Sequence, residues 1–221
     1  MRHFAKDWRI FLHFNDPVDF HDINAKLPYR SKLTDKDMPP INVAIVVGSL
    51  RRESINLKLA RAIEGLASAE LKFKYLRISD LPLYTQEFDA EYPPVCQRLK
   101  KEIEASDAVL FVTPEYNRSI PGVLKNAIDI ASRPWGTNSF ARKPGAVVGA
   151  SIGAPGAAMA QQHLRNVLAY LDVPTLPQPE VFIHFKDGMI DSEGKIENAD
   201  TKKFLQGFVD RYVGWVKRFC K

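Results

Sequence analysis

Cysteine is scarce in this chain of 221 residues. Only Cys96 and Cys220 occur, and neither falls in a C-x-x-C or Cys/His metal pattern. A disulfide framework is unnecessary at this length, so the pair reads as two free thiols in a reducing compartment. Long apolar runs are missing as well. Stretches such as Val43 to Val47 are far too short to span a bilayer. A secretory signal is not expected, because Asp7, Asp16, Asp19 and Asp22 interrupt every apolar stretch near residues 1–22, and a cytoplasmic location is expected by default. Blocks of like charge are absent too. The formal charge of +5 is spread along the chain, which argues against nucleic acid and leaves a mild field favouring anionic ligands. No metal site is expected, since His3, His13 and His21 lie ten and eight residues apart.

What is present begins near residue 40. Residues 1–37 mix seven basic and six acidic side chains without a sustained period and read as a loosely ordered N-terminal extension. A leader, an upstream translation product and an accessory arm all remain open for it. Met38 would be a sensible start for a compact domain spanning 38–221. Val43–Val47 is a β-branched run suited to a strand covered on both faces. A helix over 54–68 follows, then a strand over Leu71–Ile78 and a helix opened by Pro93 and Pro94. Ala108–Val112, Ala146–Ala150 and Glu180–Ile183 read as further strands. Helices are expected over Ser119–Ser132, with Pro121 in the first turn, and over 156–171 and 200–219. Strand–helix alternation of this kind predicts an α/β domain with a parallel sheet and right-handed crossovers.

Ligands of such sheets bind beyond the carboxyl ends of the strands, which directs attention to three loops. The first, Gly48-Ser49-Leu50-Arg51-Arg52-Glu53-Ser54-Ile55-Asn56, joins a strand to a helix N-terminus. Free N–H groups, two hydroxyls and a guanidinium there suit a phosphate. An ordinary helix capped by Ser54 accounts equally well for this loop alone. G-x-x-x-x-G-K-[ST] is missing, and so is G-x-G-x-x-G at this turn, which excludes a P-loop and a dinucleotide fingerprint.

The second loop, Thr113-Pro114-Glu115-Tyr116-Asn117-Arg118-Ser119-Ile120-Pro121-Gly122, sets two prolines around a tyrosine and an asparagine. That combination suits a flat heterocycle. The third, Gly149-Ala150-Ser151-Ile152-Gly153-Ala154-Pro155-Gly156, is made of small residues that permit close backbone approach. Close packing of that loop on its neighbour remains open.

Taken together, residues 41–215 resemble the NAD(P)H-dependent FMN reductase family, bacterial quinone/chromate reductase branch. The resemblance rests on Gly48 to Asn56, on Thr113 to Asp129 and on Gln161-Gln162-His163-Leu164-Arg165. It implies a flavodoxin-like three-layer sandwich with a five-stranded parallel sheet in order 2-1-3-4-5. It also implies FMN, with the phosphate held by Ser49, Arg51, Ser54, Ile55 and Asn56. The isoalloxazine would lie along Pro114, Glu115, Tyr116 and Asn117, with Ser151 completing the site. A homodimer or homotetramer is implied. Gly156-Ala157-Ala158-Met159 departs from the family, whose loop commonly carries an arginine at the last of these positions.

The activity implied is hydride transfer from NADPH or NADH to FMN, then electron transfer to quinones, chromate or other oxyanions. No side chain is assigned a catalytic role, because the cofactor carries the chemistry. His163 reads as a structural histidine, and the Glu115 carboxylate is expected to face a neighbouring subunit. The alternative is a flavodoxin-like FMN electron carrier acting on protein partners. Such carriers are usually strongly acidic, and this chain is basic.

Overall fold

In the computed structural model the chain is described over residues 39–220. The expected extension at 1–37, with His3, His13 and His21, lies outside the described residues. Among the described residues five strands alternate with five α-helices: β1 (Ile41–Val47), α1 (Ile55–Leu66), β2 (Leu71–Tyr75), α2 (Pro94–Glu104), β3 (Ala108–Thr113), α3 (Gly122–Ser132), β4 (Gly145–Ser151), α4 (Ala158–Tyr170), β5 (Val181–His184) and α5 (Ala199–Val216). A short 3₁₀ turn, Gln86–Asp89, precedes α2.

All neighbouring strands pair in parallel, in the order β2-β1-β3-β4-β5. The β-branched composition of β1 and β3 follows from that position, because a central parallel strand has helices on both faces. Every residue of β3 is buried. One face carries Val43, Ile45, Leu110, Val112 and Val148 against α1 and α5, where Phe208 and Tyr212 stack at 6.0 Å. The other carries Ala44, Val46, Val109, Phe111 and Val147 against α2, α3 and α4. The result is the three-layer, doubly wound sandwich expected from the sequence.

Several boundaries moved by one to three residues. β2 ends at Tyr75 rather than Ile78, although Leu76 still donates to the Ile45 carbonyl. Leu76 and Ile78 are buried in the second core cluster, so their alternation has packing as its cause, not strand pairing. α3 begins at Gly122, with Pro121 at the N-cap and its carbonyl accepting from Leu124 and Lys125. Ser119 pairs instead with Tyr116, inside the preceding loop.

Candidate active site

The three loops singled out in the sequence converge at the carboxyl ends of β1, β3 and β4. Gly48 closes β1, its N–H donating to Val112 at 2.8 Å. A Cβ there would stand 3.0 Å from Leu124 Cδ2 and 3.4 Å from Pro114 Cδ, so a side chain would wedge the first loop away from the second. Ser54 caps α1, accepting from the Leu57 N–H at 3.2 Å. The N–H groups of Ile55 and Asn56 stand ahead of the first intrahelical bond, Lys58 to Ser54, and would offer an anion the positive end of the helix.

Asn56 lies in the first turn of α1 and lines the cleft, as expected, and its side chain has a further engagement. Its side chain is 1% exposed, and both ends of its amide are committed to one residue. Nδ2 donates to the Ala150 carbonyl at 2.9 Å, and Oδ1 accepts from the Ala150 N–H at 2.9 Å. The first loop is thereby bonded to the end of β4.

The second loop leaves β3 at Thr113-Pro114 and folds back as a two-residue hairpin. Tyr116 and Ser119 exchange both backbone hydrogen bonds, at 2.9 and 3.0 Å. Asn117 and Arg118 occupy the turn with φ of 52° and 61°, the left-handed pair that a type I′ turn requires. Two bonds fasten this hairpin to α4. The Glu115 carboxylate accepts from the Ala160 N–H at 3.1 Å, and Ser119 Oγ lies 3.0 Å from His163 Nδ1. Glu115 therefore engages a helix of its own chain through one carboxylate oxygen. His163 serves the loop as a structural partner.

The third loop begins at Ser151, whose Oγ accepts from the Gly153 N–H at 3.1 Å. A Cβ at Gly149 would come 2.4 Å from the Thr113 carbonyl, so only glycine fits between these strand ends.

A cleft of about 170 Å³ results, lined by Ser49, Arg51, Ser54, Ile55, Asn56, Pro114, Glu115, Tyr116, Ala150, Ser151 and Ile152. Asn117, predicted to line the ring, is at the exposed tip of the hairpin instead of in this lining. Ala150 and Ile152 were not anticipated. The only signal for them was their position beside Ser151 at the end of a strand. Tyr116 and Ile152 are 53% and 79% exposed and leave an apolar rim at the mouth. A larger cavity of about 650 Å³ lies between the C-terminal halves of α3 and α4 and contains none of the three loops.

The donors suit FMN. Two hydroxyls, a guanidinium and the α1 N-terminus meet a phosphomonoester, and the tyrosine face and exposed strand ends can accept a flat ring. Among the described residues no group of three or more His, Cys, Asp or Glu could hold a metal ion, and no helix is long and apolar enough to cross a membrane.

Known proteins are similar to this chain over most of its length. A 2-hydroxy-1,4-benzoquinone reductase from Burkholderia sp is 50% identical over 177 residues, covering 80% of this chain and 97% of that protein. A quinone reductase from Pseudomonas putida is 50% identical over 177 residues, covering 80% of this chain and 95% of its own. The structure of FerB, a flavoenzyme NAD(P)H:(acceptor) oxidoreductase from Paracoccus denitrificans, superposes with a TM-score of 0.78 at 46% identity, over 81% of this chain and 98% of that one. Residues 41–188, which hold all three loops, match the family described as NADPH-dependent FMN reductase, and the chain belongs to that family.

Proposed function

We propose that this chain is an NAD(P)H-dependent FMN reductase that delivers electrons to quinones, with chromate and other oxyanions as further acceptors. The convergence of the α1 N-terminus, the Tyr116 hairpin and the end of β4 on one cleft carries this reading. When bound, FMN supplies the chemistry, taking a hydride from the nicotinamide and passing electrons to the acceptor. Ser49, Arg51, Ser54 and the main-chain N–H groups of Ile55 and Asn56 would hold the phosphate. Pro114, Glu115, Tyr116 and Ser151 would border the ring, and Asn117 would approach it from the hairpin tip.

The protein's part is orientation. The hairpin is fastened to α4, so the ring-side wall is set before any ligand arrives. The exposed rim of Tyr116 and Ile152 favours flat apolar acceptors such as quinones over small hydrated oxyanions. We also infer a homodimer or homotetramer. Trp135 and Tyr170, 76% and 71% exposed, border the cavity between α3 and α4, where a second copy would cover them. The location is read as cytoplasmic.

Purified protein should be yellow and should bleach on anaerobic addition of NADPH or NADH. Quinone should then restore the colour faster than chromate at equal concentration. Colourless protein that cannot be loaded with FMN would refute this function, and a yellow protein that neither nicotinamide reduces would favour the electron carrier. Sedimentation velocity would decide the oligomer.

A further inference from the structure

The pairing of β3 with β4 ends at Thr113 and Gly149. Beyond Thr113 stands Pro114, which has no N–H to extend a ladder, and the chain turns off into the hairpin. β4 continues for two more residues, with Ala150 and Ser151 still paired to β5 through Ile183 and His184. On Ala150 the Asn56 carboxamide does what a continuing β3 would do with two residues, accepting from the N–H and donating to the carbonyl, each at 2.9 Å.

Two bonds to a single residue fix orientation as well as distance. The two elements joined are 94 positions apart in sequence. One is the first turn of α1, with Ser54 and Ile55 on the cleft. The other immediately precedes Ser151 and Ile152 on the opposite wall. Asn56 is also almost wholly buried, so any contact it makes with a phosphate comes from its main-chain N–H.

We propose that Asn56 is a positioning residue of the flavin site, a side-chain rung of the sheet that locks the phosphate loop to the end of β4, and that its carboxamide is not a phosphate ligand. This rests on the assignment of the cleft to FMN. Truncation at this position strands two buried main-chain groups and frees the walls to move apart, so both parts of the flavin lose their preset site.

The test compares FMN with riboflavin, which lacks the phosphate, by quenching of flavin fluorescence on titration with wild-type and Asn56→Ala apoprotein. Far-UV circular dichroism establishes that each is folded. The expected result is a rise in Kd of roughly tenfold for both flavins by a similar factor, the loss of about one hydrogen bond's worth of preorganisation. A loss confined to FMN would make the side chain a phosphate ligand and overturn the proposal, and unchanged affinity for both would reduce Asn56 to a core residue. If Asn56→Ala does not fold, Asn56→Asp decides through riboflavin, which carries no phosphate for the new carboxylate to repel. Its riboflavin Kd should rise, because Asp keeps the acceptor and loses the donor, and an unchanged value would overturn the proposal. Wild-type protein that held FMN but not riboflavin would place the affinity wholly in the phosphate loop, with the same consequence. Wild-type protein that bound neither would refute the flavin assignment itself.

Discussion

Helix α4 starts without a side-chain cap of its own, because its N-cap residue is Ala157, in the left-handed region at φ 69°. The oxygen that normally comes from the N-cap residue is supplied from 45 residues away, by Glu115, to the N–H of Ala160, the third residue of the helix. Glu115→Ala should therefore act as the loss of a charged helix cap. A cap is worth about 1 kcal/mol, and the negative charge at the positive helix end raises this to about 1–2 kcal/mol. For a domain of this size each kcal/mol moves Tm by about 2–4 °C, so the apoprotein should melt roughly 2–8 °C lower. Glu115→Gln keeps an oxygen acceptor and gives up the charge, so it should fall between the two. Thermal melting of apoprotein, followed by circular dichroism at 222 nm, measures the effect without any flavin. An Ala variant that melts within about 1 °C of wild type would refute the capping role. A Gln variant as weak as Ala would show that charge, not the hydrogen bond, carries it.

Arg51→Ala should raise the Kd for FMN by about tenfold and leave the apoprotein Tm unchanged, since Arg51 is exposed and lines the cleft. Equal loss of both would return the first loop to an ordinary capped turn. Arg118→Gly should stabilise the protein by up to about 1 kcal/mol in urea titrations, because the left-handed φ of 61° costs nothing for glycine. The carboxyl of Glu70 is held below its usual value near 4.5, chiefly by the hydrogen bond from the Lys217 ammonium, with Ser68 helping and partial burial opposing. A carboxylate lowered in this way contributes stability above about pH 4.5 that fades as pH falls through its folded value. The Tm difference between wild type and Glu70→Gln should accordingly shrink between neutral pH and the acid limb, and a constant difference would exclude the linkage.

The layers of the fold were readable because parallel central strands leave a plain signature. Val43–Val47 and Ala108–Val112 are apolar on both faces, and turn residues separate them from amphipathic helices. Where that signature had a second possible cause, it misled. Ile78 is apolar because it packs under α2 and α3, not because β2 reaches it. The cleft was largely legible from three local compositions, since hydroxyls, an arginine and a helix start are phosphate chemistry wherever they occur together. The tertiary bonds were not legible. Asparagine at 56 is as apt for a phosphate as for a backbone rung, and its bonds to Ala150, distant in sequence, appear only in the fold. Glu115 likewise has no local partner, and its helix end arrives through the fold. Asn117 was assigned to the ring by its chemistry, while the hairpin that sets it at a tip depends on backbone angles that composition does not announce.

The loop after β4 is bonded at its base and exposed at its crest. Ala150 is held by Asn56, and the Ser151 carbonyl accepts from the Phe185 N–H. At the far side the Gly156 N–H returns to Gly153 and the Ala158 N–H to Pro155. Between these fixed points Ile152 projects into solvent. Under the proposed function, the bonded base would frame the cofactor and the exposed side chain at position 152 would form a lip toward the acceptor. Position 152 is where a library aimed at new acceptors should begin, because a change there alters what approaches the cleft without loosening what the cleft holds.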